Sequence, residues 1–136
     1  MLKRLQAENF KSLRTFDSSL GSLNVLVGPN MGGKSNIIDA LCFLYESWFP
    51  QPGTYGPINA LTRRGGIDEV LWKGGQDKLL SIGIEFEDPA QPTKRFDYKI
   101  ELVSGAAGYV NIQAEQLTLH QGEKQWPLID PKIAVE

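Results

Sequence analysis

The sequence predicts an α/β fold in two parts: a strand feeding a helix through a glycine-rich loop, then an antiparallel β-lobe. Three observations carry that expectation. The run from Ser22 to Gly28 is apolar at Leu23, Val25, Leu26 and Val27 and is bounded by glycines, the pattern of a strand covered on both faces. Ile37, Ile38, Leu41, Cys42, Tyr45 and Trp48 then recur at steps of one, three and four, which predicts a helix burying that stripe. Leu80, Ile82, Ile84 and Phe86, and after a turn Phe96, Tyr98, Ile100 and Leu102, alternate with small or charged neighbours, which predicts paired strands.

In order along the chain, residues 1–49 are expected to hold a first strand anchored by Leu2, Leu5 and Phe10, a turn, the apolar strand, the loop and the helix. The helix must stop near Phe49, because the Pro/Gly-rich stretch from Pro50 to Pro57 cannot continue it. Residues 50–77 read as mostly loop, with turns at Gly65-Gly66 and Gly74-Gly75 and a short strand from Glu69 to Trp72. Residues 78–120 read as an antiparallel meander turning at Asp88 to Pro92 and at Gly105 to Gly108. The apolar phase slips between Ile112 and Leu117, which predicts a bulge near Ala114 to Gln116. Residues 121–136 read as a tail without a clear pattern.

Composition bounds the function. The 136 residues, 41% hydrophobic and 22% charged, are globular values for one domain. A formal net charge of −2 supplies no global field toward nucleic acid or membrane, so any contact with DNA must come from a local patch. The single cysteine, Cys42, excludes an internal disulfide and a cysteine-cluster metal site. No apolar run approaches the roughly 20 residues of a membrane span, and the default is a cytoplasmic protein with no membrane partner.

One motif carries chemistry. Gly28-Pro-Asn-Met-Gly-Gly33-Lys34-Ser35 matches the Walker A pattern. Its glycines permit close backbone approach to phosphate, and its N–H groups, together with the following helix's N-terminus, point at the anion. Lys34 supplies a positive charge for the β/γ oxygens and Ser35 a hydroxyl for Mg²⁺. A chance match arises roughly once in 200 chains of this length, and its position between an apolar strand and a helix is the context the motif demands.

Asn9-Phe-Lys-Ser-Leu13 followed by Asn24-Val-Leu-Val-Gly-Pro-Asn-Met-Gly-Gly-Lys-Ser-Asn-Ile-Ile-Asp-Ala-Leu41 resembles the N-terminal segment of the RecF/SMC-type ATPases. These are ABC-like P-loop ATPases of DNA repair, chromosome organisation and phage defence. Within them the chain looks closest to the AAA ATP-binding domain proteins related to the OLD nucleases. The resemblance is strongest over residues 1–49, extends loosely through Thr62 to Trp72, and makes the strands after residue 78 the lobe flanking the ATPase core. It implies a P-loop NTPase fold and phosphate binding by Gly28, Asn30, Gly32, Gly33, Lys34, Ser35 and Asn36, with Lys11 and Ser12 near the nucleotide. Met31 departs from the pattern, standing where many relatives have glycine, so its backbone angles are expected to suit a side chain.

The resemblance also implies ATP and Mg²⁺ as ligands, a sandwich of two heads around ATP, and DNA as a partner of the assembly. Hydrolysis in such proteins uses an apolar strand ending in Asp-Glu (Walker B), a Ser-Gly-Gly signature loop and a switch histidine, none of which these residues contain. No catalytic residue is therefore expected here. The chain reads as the N-terminal piece of a longer ATPase that alone binds nucleotide weakly, hydrolyses it poorly or not at all, and exposes apolar surface. Two other classes stay open: a P-loop kinase or phosphotransferase, and a nucleotide-dependent switch that does not hydrolyse.

Arg63 and Arg64, beside Gly65-Gly66, read either as contacts to a DNA backbone or the γ-phosphate, or as a solvated turn. Asp39 and Glu46 lie off the apolar stripe and read as a solvated helix face. His120 reads as a surface residue at a strand end, Cys42 as a buried small hydrophobe, and Trp48 as cover for the core.

Overall fold

The computed structural model describes residues 1–130. The order is β1 (Leu2–Phe10), β2 (Leu13–Ser19), α1 (Lys34–Trp48), α2 (Gly56–Thr62), α3 (Ile67–Val70), β3 (Leu79–Glu87), β4 (Lys94–Ser104), a 3-10 turn at Ala106–Gly108, β5 (Val110–Gln121) and β6 (Lys124–Ile129). The strands form one sheet in the order β2-β1-β3-β4-β5-β6. Every neighbouring pair is antiparallel.

Register explains the core. Leu5 lies opposite Ile84 and Ala7 opposite Ile82; on the next strand Leu80, Ile82 and Ile84 face Leu102, Ile100 and Tyr98. Alternation puts these side chains on one face, where they are buried in a single cluster with Ala40, Phe43 and Leu44 of α1, Ala60 and Leu61 of α2, and Ile67 and Val70 of α3. The opposite face is polar: Arg4 binds Asp17 and Glu85, and Lys99 pairs with Glu101. No helix among the described residues is long and apolar enough to cross a membrane.

Several expectations need correction. The largest concerns Ser22 to Gly28, which forms no strand. Leu23, Val25 and Val27 are 82%, 75% and 89% exposed. A strand covered on both faces needs parallel neighbours, and among the described residues every ladder is antiparallel. The second strand is instead Leu13–Ser19, whose apolar signal is weak because one face is solvated. Helix α1 begins at Lys34 and ends before Phe49 as expected, but its buried residues are Ala40, Phe43, Leu44 and Ser47. Ile37 and Leu41 pack at the edge of that face, while Ile38, Tyr45 and the Cys42 thiol of the expected stripe are exposed. Two apolar faces compete on this helix, and the packed sheet selected the one containing Phe43.

Residues 50–77 hold α2 and α3, and the expected strand from Glu69 to Trp72 starts as the end of the single turn of α3; Leu71 alone makes an isolated bridge, to Phe10. Gly56 lets α2 begin against α1, since a Cβ there would lie 2.0 Å from the Ser47 carbonyl oxygen. Beyond His120, where no pattern was visible, β6 pairs with β5 at the sheet's edge. Residues 131–136 of the expected tail lie outside the described residues. The bulge falls at Gln113, where Glu101 and Leu102 face Ala114 and Ile112, one residue ahead of the expected segment. Trp48 does act as cover: its ring meets Tyr98 edge-on at 4.9 Å and Phe86 at 6.1 Å.

Candidate functional site: the glycine-rich loop and its supports

The loop leads directly into α1. Gly33 stands at the helix N-terminus with φ +86° and offers no capping side chain; the N–H groups of Asn36 and Ile37 donate to its carbonyl, while those of Lys34 and Ser35 precede the first intrahelical bond. Asn30, Met31, Gly32, Gly33, Lys34, Ser35 and Asn36 line a cavity of about 390 Å³. Glycine is needed twice. A Cβ on Gly32 would lie 2.9 Å from the Pro29 carbonyl oxygen, and one on Gly33 would lie 2.8 Å from Ser12 Oγ. Lys34 Nζ donates to the carbonyl oxygens of Gly28 and Pro29, both at 2.6 Å, which holds the ammonium over the loop. Met31 has φ +68° and is fully exposed. Contrary to the expectation that its angles suit a side chain, it occupies the left-handed region that favours glycine.

The β1–β2 turn braces this loop. Ser12 Oγ accepts a hydrogen bond from Asn36 Nδ2 at 2.8 Å. Asn9 and Lys11 both have positive φ, +56° and +52°, and the turn is strapped from outside. Lys11 N–H donates to the Val70 carbonyl, and Trp72 N–H donates to that of Asn9. Asn9 Nδ2 further donates to Asp77 Oδ2 and to the Leu79 carbonyl. The straps make the two left-handed residues a fixed feature of the turn.

Arg64 is not a free surface arginine. Its side chain is only 9% exposed. The guanidinium donates to both Asp39 oxygens, to Glu46 Oε2 at 2.6 Å and to the Ala60 carbonyl, and its Cζ sits 5.7 Å from the Phe43 ring centroid. Arg64, expected at a DNA backbone, the γ-phosphate or a solvated turn, is thus engaged by its own partners, whereas the Arg63 side chain stays exposed. Asp39 and Glu46, expected on a solvated face, are the anions of this cluster. Asp39 also receives Lys11 Nζ at 2.6 Å. Burial resists ionisation of Asp39, but hydrogen bonds from Arg64 and Lys11 outweigh it and hold the carboxyl below its usual range. Arg64 is likewise opposed by burial and held above its ordinary value by Asp39 and Glu46.

Sequence reasoning missed this cluster. The available signal was two carboxylates seven residues apart, hence on one helix face, together with an arginine pair in the next helical region. His120 is also less exposed than expected: its Nε2 lies 2.6 Å from Asp97 Oδ2.

The loop fits the phosphates of a nucleotide. Glycines stand where a Cβ would collide, a lysine ammonium lies over the loop, and the loop runs into an uncapped helix N-terminus. Ser35 supplies the hydroxyl appropriate to Mg²⁺. Among the described residues no group of three or more His, Cys, Asp or Glu forms a separate metal site.

Comparison with known proteins agrees with the fold. No family model matches the chain. The OLD nuclease of Thermus scotoductus is 51% identical over 50 residues, covering 37% of this chain and 10% of that protein. The DNA replication and repair protein RecF of Acidothermus cellulolyticus is 30% identical over 112 residues, covering 82% of this chain and 26% of that one. Structural maintenance of chromosomes protein 1 of Schizosaccharomyces pombe is 30% identical over 98 residues, 70% of this chain and 7% of that protein. The chain thus spans about a quarter or less of these curated relatives. A solved structure from work on the ATP-driven dimerization and DNA-stimulated activation of SMC ATPases superposes with a TM-score of 0.58 at 17% identity, over 88% of this chain and 69% of that one. Sequence likeness and fold together place the chain with the RecF/SMC-type, ABC-like P-loop ATPases, over part of the length of those relatives.

Proposed function

We propose that the chain binds ATP with Mg²⁺ at the loop from Gly28 to Ser35, as the nucleotide-binding part of an ABC-like ATPase in DNA repair, DNA maintenance or phage defence. The observation carrying this reading is the glycine loop closed by Gly33 at the head of α1, where a Cβ would strike Ser12. Backbone N–H groups and Lys34 hold the phosphates, Ser35 holds the metal, and Asn30 and Asn36 support the loop. Bound ATP supplies the anhydride whose hydrolysis powers such machines. Its cleavage needs a carboxylate for Mg²⁺ and a group orienting water, which we assign to Walker B and signature motifs not contained in these 136 residues.

The relatives support the wider setting: the superposed SMC ATPase comes from work on ATP-driven dimerization and DNA-stimulated activation. By analogy, two heads of this kind close around ATP, and DNA engages the assembly, with Arg63 available as a phosphate contact. The missing hydrolytic motifs favour a second reading for the isolated chain, a nucleotide-dependent switch without turnover. The kinase reading has less support, because the relatives matched are OLD, RecF and SMC proteins.

Calorimetric titration with ATP·Mg²⁺ tests the site. Lys34→Ala is expected to weaken binding on the order of 100-fold, the worth of a charge-assisted contact to phosphate, without lowering the melting temperature. Equal heats for the two proteins would refute the assignment.

A further inference from the structure

Lys11, Asp39, Arg64 and Glu46 form a charge-balanced quartet along α1, reaching toward the phosphate loop at Asp39, and its members are unequally tied. Arg64 is held by two carboxylates and the Ala60 carbonyl, so losing one carboxylate leaves it paired. Among the described residues Lys11 Nζ pairs with Asp39 alone, at 2.6 Å, and a third of its side chain is exposed. Its backbone cannot retreat, because its N–H is bound to Val70 and its φ is +52°. The next residue, Ser12, touches the loop through Asn36, and Asp39 lies about one helical turn beyond Ser35. A charge change at Asp39 is therefore felt at the loop.

Resting on the nucleotide reading above, we propose that Asp39 is a latch: it parks the Lys11 ammonium and thereby sets how much positive charge the β1–β2 turn presents to a bound triphosphate. The latch holds affinity below what the same loop reaches with Lys11 released. Neutralising Asp39 leaves Arg64 satisfied by Glu46 and frees one cation beside the anion site. A purely structural ion pair predicts the opposite, since breaking it loosens α1 and weakens binding.

The experiment measures ATP affinity by calorimetry and melting temperature for five proteins at low and moderate salt. Asp39→Asn is expected to bind ATP about three- to tenfold more tightly although it melts at lower temperature, with the gain shrinking as salt rises. Lys11→Gln is expected to bind more weakly by a similar factor. Adding Lys11→Gln to Asp39→Asn should return affinity to the wild-type value, and Asp39→Glu, which keeps the charge, should also stay there. Unchanged or weaker binding by Asp39→Asn, or a gain that persists without Lys11, overturns the latch. Should Asp39→Asn not fold, Asp39→Ser is measured in its place: tighter binding supports the latch, and unchanged or weaker binding overturns it. Lys34→Ala measured alongside separates the two claims. If it binds like wild type, the nucleotide site itself is wrong; if it loses binding while Asp39→Asn changes nothing, only the latch fails.

Discussion

Leu5, Ile82 and Ile100 at the centre of the sheet are wholly buried, while Leu23, Val25 and Val27, equally apolar, are at least three-quarters exposed. The first group belongs to strands whose main-chain groups are paired on both sides and whose apolar face is roofed by α1, α2 and α3. The second belongs to the approach to the phosphate loop, where no ladder forms. Hydrophobicity alone does not bury a residue; it must be delivered by an element whose backbone hydrogen bonds are also met. Stability is concentrated in the first region and the proposed ligand chemistry in the second, joined by α1 and the quartet around Asp39.

That division can be tested from each side. The largest effect is expected from Phe43→Ala, which empties a fully buried site against Phe10 and the Arg64 guanidinium. It should cost about 3–5 kcal/mol in denaturant unfolding, whereas Lys34→Ala should leave unfolding unchanged. A small loss in Phe43→Ala would mean that the helices are not the roof of the core.

Acid should unlock the joint between the regions at smaller cost. The folded Asp39 carboxyl lies below its ordinary value of 3.8. The stability it contributes is thus present above the unfolded value and lost as pH falls through the folded one. Melting temperatures measured from pH 6 down to pH 2.5 should fall below about pH 4, the ordinary carboxylate range, and less steeply in Asp39→Asn. Parallel curves for both proteins would show that Asp39 does not join the regions.

The smallest effect belongs to the loop itself. Met31 is fully exposed at φ +68°, so Met31→Gly removes a left-handed penalty of about 1–2 kcal/mol while adding unfolded-state entropy of about half that. A net gain of roughly 0.5 kcal/mol in unfolding free energy is expected. A loss would place Met31 in a packing role that its exposure denies.

Much of this was legible beforehand. The β3–β4 meander could be read because a half-buried antiparallel strand writes its register as strict alternation, as in Leu80-Ile82-Ile84-Phe86. The loop and the start of α1 could be read because Gly-Lys-Ser after an apolar run is a local signal. β2 and β6 were not legible, since edge strands with solvated faces carry little pattern. The stripe on α1 misled because Ile38, Cys42 and Tyr45 share one face and Ala40, Phe43 and Ser47 another, and periodicity cannot rank two apolar faces.

What the amino-acid order determined by itself is short-range: glycines in the loop, one of them where a Cβ would strike Pro29 three residues back, a lysine and a serine at the head of a helix, and strands alternating with period two. Only the folded chain decided the rest: which helix face is covered, that Ser22 to Gly28 finds no ladder, and that Arg64 and Lys11 meet Asp39 across 25 and 28 residues of sequence. Ion pairs and helix roofs depend on which surfaces the sheet brings together, and that is a property of packing that no window of neighbouring residues contains.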